Sequence, residues 1–235
     1  MARSTRESIL TAAAELMRHR GYAGVGMKDI AEASGAPIGS LYHHFRGGKV
    51  QIAREALTNA GAAYGLLIPT IVGEYTDLGA AIDGVFTQAA EDMAATGFAN
   101  MCPLASVSAE IADTVEELRE AAQHIFDAWI DGGTAYFAAR GLDAAVARDV
   151  TLALIGGLEG GFLLARALRS TEPLLAVGRT LAPQYRGVEL AAAAAPPVTT
   201  VPPLPSLGEE LQAAASQTPE QLIAAFKVKA GHEIT

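Results

Sequence analysis

The chain has 235 residues, of which half are apolar and only 6% aromatic, and its formal net charge is −9. Alanine and leucine are abundant and β-branched runs are scarce, which is typical of an all-α protein. Its one cysteine, Cys102, excludes an intramolecular disulfide and a cysteine-cluster metal site. No basic stretch leads into an apolar signal-type core, so we expect a cytoplasmic protein.

Three short helices are predicted near the N-terminus, over residues 5–19, 28–34 and 37–45. Ser4 or Thr5 can cap the first helix, and Gly21 lies just beyond its end. Gly35 supplies a tight turn after the second helix, and Pro37 stands where the third begins. This arrangement is typical of a helix-turn-helix, in which one helix braces against DNA and the next enters the major groove.

Longer helices are predicted in the rest of the chain. One begins at residue 49 and either ends near Pro69 or continues to Val72 with a kink at that proline. Others are expected at residues 77–96, 103–112, 114–139, 143–170 and 171–182. The helix over 143–170 is the most apolar, but four glycines, Glu159 and Arg166 interrupt it, which argues against a membrane span.

The composition changes after Arg186. An alanine run and five prolines between residues 196 and 205 predict an extended linker. Beyond the linker, Thr218 opens a short amphipathic helix that carries Leu222, Ile223 and Phe226. We therefore expect a helix-turn-helix domain at 1–48, a helical ligand-binding and dimerisation domain at 49–186, and a linker with a short C-terminal helix at 187–235.

The sequence from Met27 to Phe45 resembles the DNA-binding signature of the TetR family, in which a glycine turn precedes a helix ending in Leu-Tyr-x-His-Phe. The segment from Arg46 to Lys49, and later Met101-Cys-Pro, resembles the LmrA/YxaF-like branch of that family. Arg46 stands where that branch often has proline, and Met27 where TetR proteins commonly have threonine. The second difference removes a hydroxyl that could contact phosphate.

The charge is distributed unevenly. Residues 1–58 hold eight Lys and Arg against five Asp and Glu, a net +3, so the remainder carries −12. An acidic protein is a poor partner for nucleic acid, but a basic segment on an acidic body is typical of a DNA-binding head.

The resemblance, together with position on the third helix, predicts the residues that meet DNA. Those at the start and outer face of the helix approach base edges: Pro37, Ile38, Gly39 and Ser40, with Tyr42 and His43 alongside. Phosphate contacts are expected from Lys28, Tyr42, His44 and Lys49. An N-terminal arm carrying Arg3 and Arg6 is expected to reach an adjacent groove or the DNA backbone. Leu41, Phe45, Ile30 and Ala31 are expected in the core.

A regulator needs a second site whose ligand favours one conformation. The large, adaptable side chains of the later helices suit an apolar pocket: Tyr64, Phe86, Met93, Met101, Phe126, Trp129 and Phe162. Each of them is also compatible with simple core packing. Cys102 is compatible with a redox sensor or, more simply, with a buried small hydrophobe.

The glycines and alanines of the helix over 143–170 allow another helix to approach closely. This helix and the one over 171–182 therefore predict a four-helix dimer interface, as the resemblance also implies. A symmetric homodimer reads a near-palindromic operator in double-stranded DNA. The resemblance implies a repressor that a small, largely apolar inducer releases.

The sequence leaves two other functional hypotheses open. One is a TetR-like protein that acts mainly through a protein partner bound by its C-terminal helix. The other is an all-α ligand-binding protein or enzyme, although no nucleophile elbow, phosphate loop or zinc motif is present. His43 and His44 are neighbours on a helix and point about 100° apart, so we predict neither a metal site nor a cofactor.

Overall fold

The computed structural model describes residues 4–99 and 101–192. These residues form a series of α-helices and one short 3₁₀ helix, Ala182–Tyr185. The α-helices are α1 Thr5–Arg20, α2 Met27–Ser34, α3 Ile38–His44, α4 Gly48–Gly65, α5 Leu67–Val72, α6 Leu78–Ala95, α7 Pro103–Ile111, α8 Glu116–Ala139, α9 Ala144–Leu168 and α10 Glu172–Leu181. The predicted all-α class is confirmed, while the predicted helix after Thr218 lies outside the described residues.

Local capping explains why several helices begin where the sequence predicts. At the start of α1, the Glu7 backbone N–H donates to Ser4 Oγ at 3.3 Å, and the Ser4 N–H donates to the Glu7 carboxylate at 2.7 Å. This reciprocal capping box satisfies two N–H groups that the helix leaves unbonded. Asp143 caps α9 with its side chain alone, which accepts from the Ala145 N–H at 2.9 Å.

The helix that begins after Phe45 does not continue through Pro69. α4 ends at Gly65, and a separate α5 begins at Leu67. Pro69 lies in the first turn of α5, where its missing N–H leaves no hydrogen bond unmade. The predicted kink at Pro69 is therefore wrong, whereas the helix does end near that proline, at Gly65.

The chain divides into two compact units. The first unit comprises Met1–Tyr64 and Met101–Asp127, so it joins α7 and the first half of α8 to the N-terminal helices. Within it α1 packs against α2, α3 and α7. Its largest buried side chains include Ile9, Met17, Ile30, Leu41, Phe45, Ile52 and Leu57. The two units are defined by contacts within the fold, whereas the predicted domain ranges are defined by sequence motifs. Those ranges stay predictions.

The second unit comprises Gly65–Asn100 and Ala128–Thr235. In its described part, α6 packs against α9 and α10 around the buried ring of Phe86. A Cβ atom added at Gly157 or Gly178 would lie 2.9 Å from that ring or its Cβ, so these glycines make room for it. Other buried members of this core include Leu78, Ile82, Val85, Met93, Phe137, Val150, Leu154 and Leu174.

A buried arginine holds the second unit together. Arg140 follows α8 and is only 3% exposed. Its guanidinium donates to the carbonyl oxygens of Tyr75 at 2.6 Å, Ala191 at 2.7 Å and Val72 at 2.9 Å. Hydrogen bonds from the Arg140 guanidinium thus connect the end of α5 and the segment after the 3₁₀ helix to the end of α8.

By length and composition α9 is long and apolar enough to cross a membrane. Four of its residues, Ala147, Val150, Leu154 and Ala165, are nevertheless buried in the core of the second unit. The interpretation of α9 as a helix of a globular protein rather than a membrane span stays a prediction.

Asp77 gives this unit a pH-dependent contribution to stability. Its carboxylate accepts from the backbone N–H of Ala80 at 2.7 Å and of Gly187 at 2.6 Å, and these bonds lower the pKa of Asp77. A lowered folded-state pKa contributes stability that is present above the unfolded pKa and lost as pH falls through the folded one.

We expect Asp77→Ala to lower Tm at neutral pH, with the difference from wild type shrinking in acid. Thermal unfolding followed by circular dichroism across that pH range measures the effect. Asp83→Ala is the control, because Asp83 is a half-exposed α6 carboxylate 3.8 Å from Arg186 and caps no helix. A difference that stays constant with pH would show that the Asp77 charge plays no part.

Candidate nucleic-acid interface

A tight turn joins α2 to α3. Gly35 has φ +67° and ψ 12°, a left-handed conformation that favours glycine because a Cβ atom would be strained there. The N–H of Ala36 donates to the Ala31 carbonyl at 3.1 Å and closes the end of α2. Pro37 then precedes the first residue of α3. The local sequence therefore produces the helix-turn-helix that was predicted.

The two faces of α3 differ sharply in exposure. Leu41 and the following Phe45 are fully buried, as predicted. By contrast, Tyr42 is 56% exposed and Ile38 is 43% exposed, and the two are four residues apart on one face of the helix. The other residues predicted to meet bases or phosphates on this segment are also exposed, except Ser40, which is partly buried: Pro37, Gly39, His43 and His44.

The two predicted lysines differ in setting. Lys28 is exposed near the start of α2. Lys49 is partly buried near the start of α4, and its Nζ lies 4.0 Å from the centroid of the Tyr22 ring. Burial lowers the pKa of Lys49, while the carboxylates of Glu110 and Asp29 act in the opposite direction. The Lys49 ammonium therefore has a defined place in the free protein.

Arg6 does not form the DNA-reaching arm that was expected. Its guanidinium pairs with the buried Glu55 carboxylate and lies 5.1 Å from the centroid of the Phe45 ring. Gln51 extends this network: its amide donates to Glu55 at 3.0 Å and accepts from the Gly47 N–H at 2.8 Å. Arg6 thus braces α1 against α4. Arg3 lies outside the described residues.

The residues predicted to bind an inducer are divided between the two units. Tyr64, Met101 and Phe126 belong to the first unit. The Tyr64 hydroxyl lies 3.5 Å from the Met101 carbonyl oxygen, and burial raises the pKa of the Tyr64 phenol. Cys102 is buried at the N-cap of α7.

The other four predicted residues lie in the second unit. Phe86 and Met93 are fully buried in its core, which favours a packing role for both. Phe162 is partly buried against the same core, and Trp129 is partly buried on α8. A ligand contact at any of these four residues stays a prediction.

One face of α9 is exposed and made of apolar and small residues. Leu163, Leu164 and Leu168 are at least half exposed, and Leu152 is 42% exposed. A Cβ atom added at Gly156 or Gly160 would meet nothing within 4 Å. We name this surface, formed by Leu152, Gly156, Gly160, Leu163, Leu164 and Leu168, the α9 face.

The comparisons with known proteins agree with this geometry. Residues 9–56 match the model of the bacterial regulatory proteins of the tetR family, and residues 79–180 match the C-terminal domain of LmrA/YxaF-like transcriptional regulators. The chain is 36% identical over 181 residues to the uncharacterized HTH-type transcriptional regulator Rv0196 of Mycobacterium tuberculosis, covering 75% of this chain and 91% of that protein. This chain belongs to the TetR family of transcriptional regulators.

Two further relatives place this TetR-family regulator within its family. It is 31% identical over 171 residues to the HTH-type transcriptional regulator LmrA of Bacillus subtilis, covering 73% of this chain and 91% of LmrA. The crystal structure of regulatory protein TetR from Rhodobacter sphaeroides shares the fold, with a TM-score of 0.67, 24% identity, and coverage of 77% of this chain and 98% of that one. The predicted fold, family and LmrA/YxaF-like branch are confirmed.

The family also bears on the enzyme alternative that the sequence leaves open. Its members and the relatives named above are transcriptional regulators and not enzymes, as predicted. Across residues 4–99 and 101–192, no three His, Cys, Asp or Glu side chains are grouped so as to hold a metal ion. The His43 and His44 rings themselves stack edge to face, with centroids 5.2 Å apart.

Proposed function

We propose that this TetR-family regulator is a cytoplasmic repressor that binds a near-palindromic operator as a homodimer and is released by a small, largely apolar inducer. The exposed outer face of α3 carries the proposal. Ile38 and Tyr42 are large side chains exposed side by side on the proposed recognition helix, where contact with DNA would cover them.

Few side chains on this face can read bases directly. Ile38 offers an apolar contact to a thymine methyl group, and Gly39 allows close approach of the backbone. The exposed His43 adds a polar group, and the backbone of Pro37 and the hydroxyl of Ser40 lie at the same end of α3. Phosphate contacts from Lys28, Tyr42, His44 and Lys49 would then provide most of the affinity and make it depend on salt.

The α9 face supports the homodimer. An exposed helix face that combines leucines with glycines lets a second helix approach closely, and an uncovered apolar patch of this kind marks an interaction site. If the homodimer forms through this face and α10, the symmetric operator would carry two half-sites about one DNA turn, roughly 34–36 Å, apart, one for each copy of α3.

An inducer would act by binding more tightly to a conformation that fits the operator poorly. Tyr64, Met101 and Phe126 in the first unit, and Trp129 and Phe162 in the second, are the proposed contacts. Phe86 and Met93 have less support because both are completely enclosed by core residues. The mixture of aromatic and methionine side chains favours a largely apolar ligand.

Selection of bound sequences from random duplex DNA by the purified full chain tests the proposal. The expected result is enrichment of a near-palindromic site, bound by one dimer or a pair of dimers. Titration of that site at two salt concentrations should show affinity falling steeply with salt. If no sequence is enriched and the protein stays monomeric, the proposed repressor mechanism is wrong.

A further inference from the structure

We infer that Glu110 and Tyr22 are positioning residues that set the Lys49 ammonium in place for DNA phosphate. The inference rests on the proposed function, in which Lys49 contacts DNA. All three residues belong to the first compact unit. Glu110 is on α7, Tyr22 lies in the loop between α1 and α2, and Lys49 is near the start of α4.

The Glu110 carboxylate grips the loop between α1 and α2. One of its oxygens accepts from the Tyr22 backbone N–H at 2.7 Å, and the other accepts from the Ala23 N–H at 2.6 Å. Charge-assisted bonds of this length are about twice as strong as neutral ones. They satisfy two N–H groups of a loop that has no helix or strand to bond them.

Gly21 makes this grip possible. A Cβ atom at Gly21 would lie 2.5 Å from Glu110 Oε2, so a side chain there would push the carboxylate away. Gly21 also has φ +69°, a conformation that favours glycine.

The rest of α7 holds the carboxylate steady. One turn before Glu110, the Ser106 hydroxyl donates to the Arg18 carbonyl oxygen at 3.2 Å, near the end of α1. Leu104, Val107 and Ile111 of the same helix are fully buried. α7 is therefore docked onto α1 by apolar packing and by hydrogen bonds to both the end of α1 and the loop.

The Tyr22 ring in turn fixes the position of the Lys49 ammonium. The Lys49 Nζ lies 4.0 Å from the centre of the Tyr22 ring, which is well within the range of a cation–π contact. A free lysine side chain loses rotamer entropy when it is fixed. A lysine that is already held over a ring loses less of that entropy when it meets a phosphate.

The geometry links α7, which lies outside the helix-turn-helix, to a residue proposed to bind DNA. A displacement of α7 would pull on two backbone hydrogen bonds, shift the Tyr22 ring and release the Lys49 ammonium. The acidic groups near that ammonium are Glu110 and Asp29, so the Glu110 side chain contributes both a grip and a negative charge. An experiment has to separate these two contributions.

The test compares four variants of the full chain, each with Lys49 present and with Lys49→Ala. Tyr22→Leu removes the ring, Tyr22→Phe keeps it, and Glu110→Ala removes the grip. Asp113→Ala removes one exposed negative charge from the turn after α7 and is the charge control. Affinity is measured by titration of the selected operator at several salt concentrations.

With Lys49 present, we expect Tyr22→Leu to weaken binding about two- to fivefold per half-site, the equivalent of one cation–π contact. Glu110→Ala should weaken binding as well, whereas Tyr22→Phe and Asp113→Ala should not. In the Lys49→Ala background the Tyr22 and Glu110 effects should vanish. The inference is overturned if both effects persist without Lys49, or if Glu110→Ala strengthens binding as simple removal of a negative charge would.

A second measurement needs no DNA. The Lys49 ε-methylene protons lie near the Tyr22 ring and should show an upfield ring-current shift by NMR in wild type and Tyr22→Phe. That shift should disappear in Tyr22→Leu and decrease in Glu110→Ala. A shift that Glu110→Ala leaves unchanged overturns the inference even when the protein binds its operator, whereas a wild-type chain that binds no DNA overturns the proposed function instead.

Discussion

Gly39→Glu is expected to abolish operator binding and at the same time make the protein slightly more stable. Gly39 is the second residue of α3 and is exposed, and a Cβ atom there would meet nothing within 4 Å. Replacing a helical glycine contributes up to about 1 kcal/mol. A carboxylate in the first turn of a helix adds about 0.3–1 kcal/mol through the helix dipole.

The same carboxylate opposes DNA binding. It would stand between Ile38 and Ser40 on the face that is proposed to meet bases and phosphates, where a like charge costs several kcal/mol. Because a dimer carries the change twice, we expect affinity to fall by at least about 100-fold. If binding were lost because the protein unfolds, the free energy of unfolding would fall rather than rise. Measuring it therefore distinguishes unfolding from charge repulsion as the cause.

Operator titration and denaturant unfolding of the same preparations measure both effects. Gln123→Glu is the control: it makes the same change of charge at an exposed position on α8 and should leave affinity nearly unchanged. Operator affinity within about threefold of wild type in Gly39→Glu would mean that this face of α3 does not meet DNA.

The elements that the sequence predicts well are those with local signals. The α1 N-terminus follows from Ser4, one of the two predicted caps, and the turn before α3 follows from Gly35. The buried and exposed faces of α3 follow from helical periodicity, which separates Leu41 from Tyr42. Each of these signals acts within a few residues, so no knowledge of tertiary packing is needed.

The contacts that escaped prediction join residues far apart in the sequence. Arg6 pairs with Glu55 across 49 positions, and Glu110 accepts from the Tyr22 N–H across 88. A charged residue has no local pattern that reveals such a partner, so the sequence predicts an exposed arm at Arg6. Only the tertiary contact between Arg6 on α1 and Glu55 on α4 shows that Arg6 is a brace.

The predicted inducer contacts illustrate a different limit. Phe86 and Met93 have the size and flexibility expected of pocket residues, but the structure buries both among core side chains. Core and pocket select the same apolar side chains, and what separates them is whether neighbouring elements fill the space around them. Gly157 and Gly178 allow α9 and α10 to come close enough to enclose Phe86, and their effect is visible only in three dimensions.

Arg140→Met is expected to destabilise the protein by about 3–5 kcal/mol. The change keeps an unbranched apolar stem but removes every donor of the guanidinium. The carbonyl oxygens of Val72, Tyr75 and Ala191 would then lose their charged partner, and the Tyr136 hydroxyl would lose the donor 3.2 Å away. Hydrogen bonds to a charged group contribute about 1.5–3 kcal/mol each, and only the more exposed carbonyls can turn to water instead.

Denaturant unfolding of wild type and variant measures this loss, with Arg148→Met as the matched control. Arg148 is a half-exposed arginine on α9, 3.8 Å from Asp131, and pairs of this kind contribute at most about 1 kcal/mol. Because every partner of Arg140 lies in the second unit, we expect the exposed face of α3 to be unchanged in the fraction that stays folded. A loss no larger than that of Arg148→Met would mean that water replaces the guanidinium at all three carbonyls. The backbone hydrogen bonds of the segment ending at Ala191, with Thr76, Leu78 and the Arg140 carbonyl oxygen, would then hold that segment without the guanidinium.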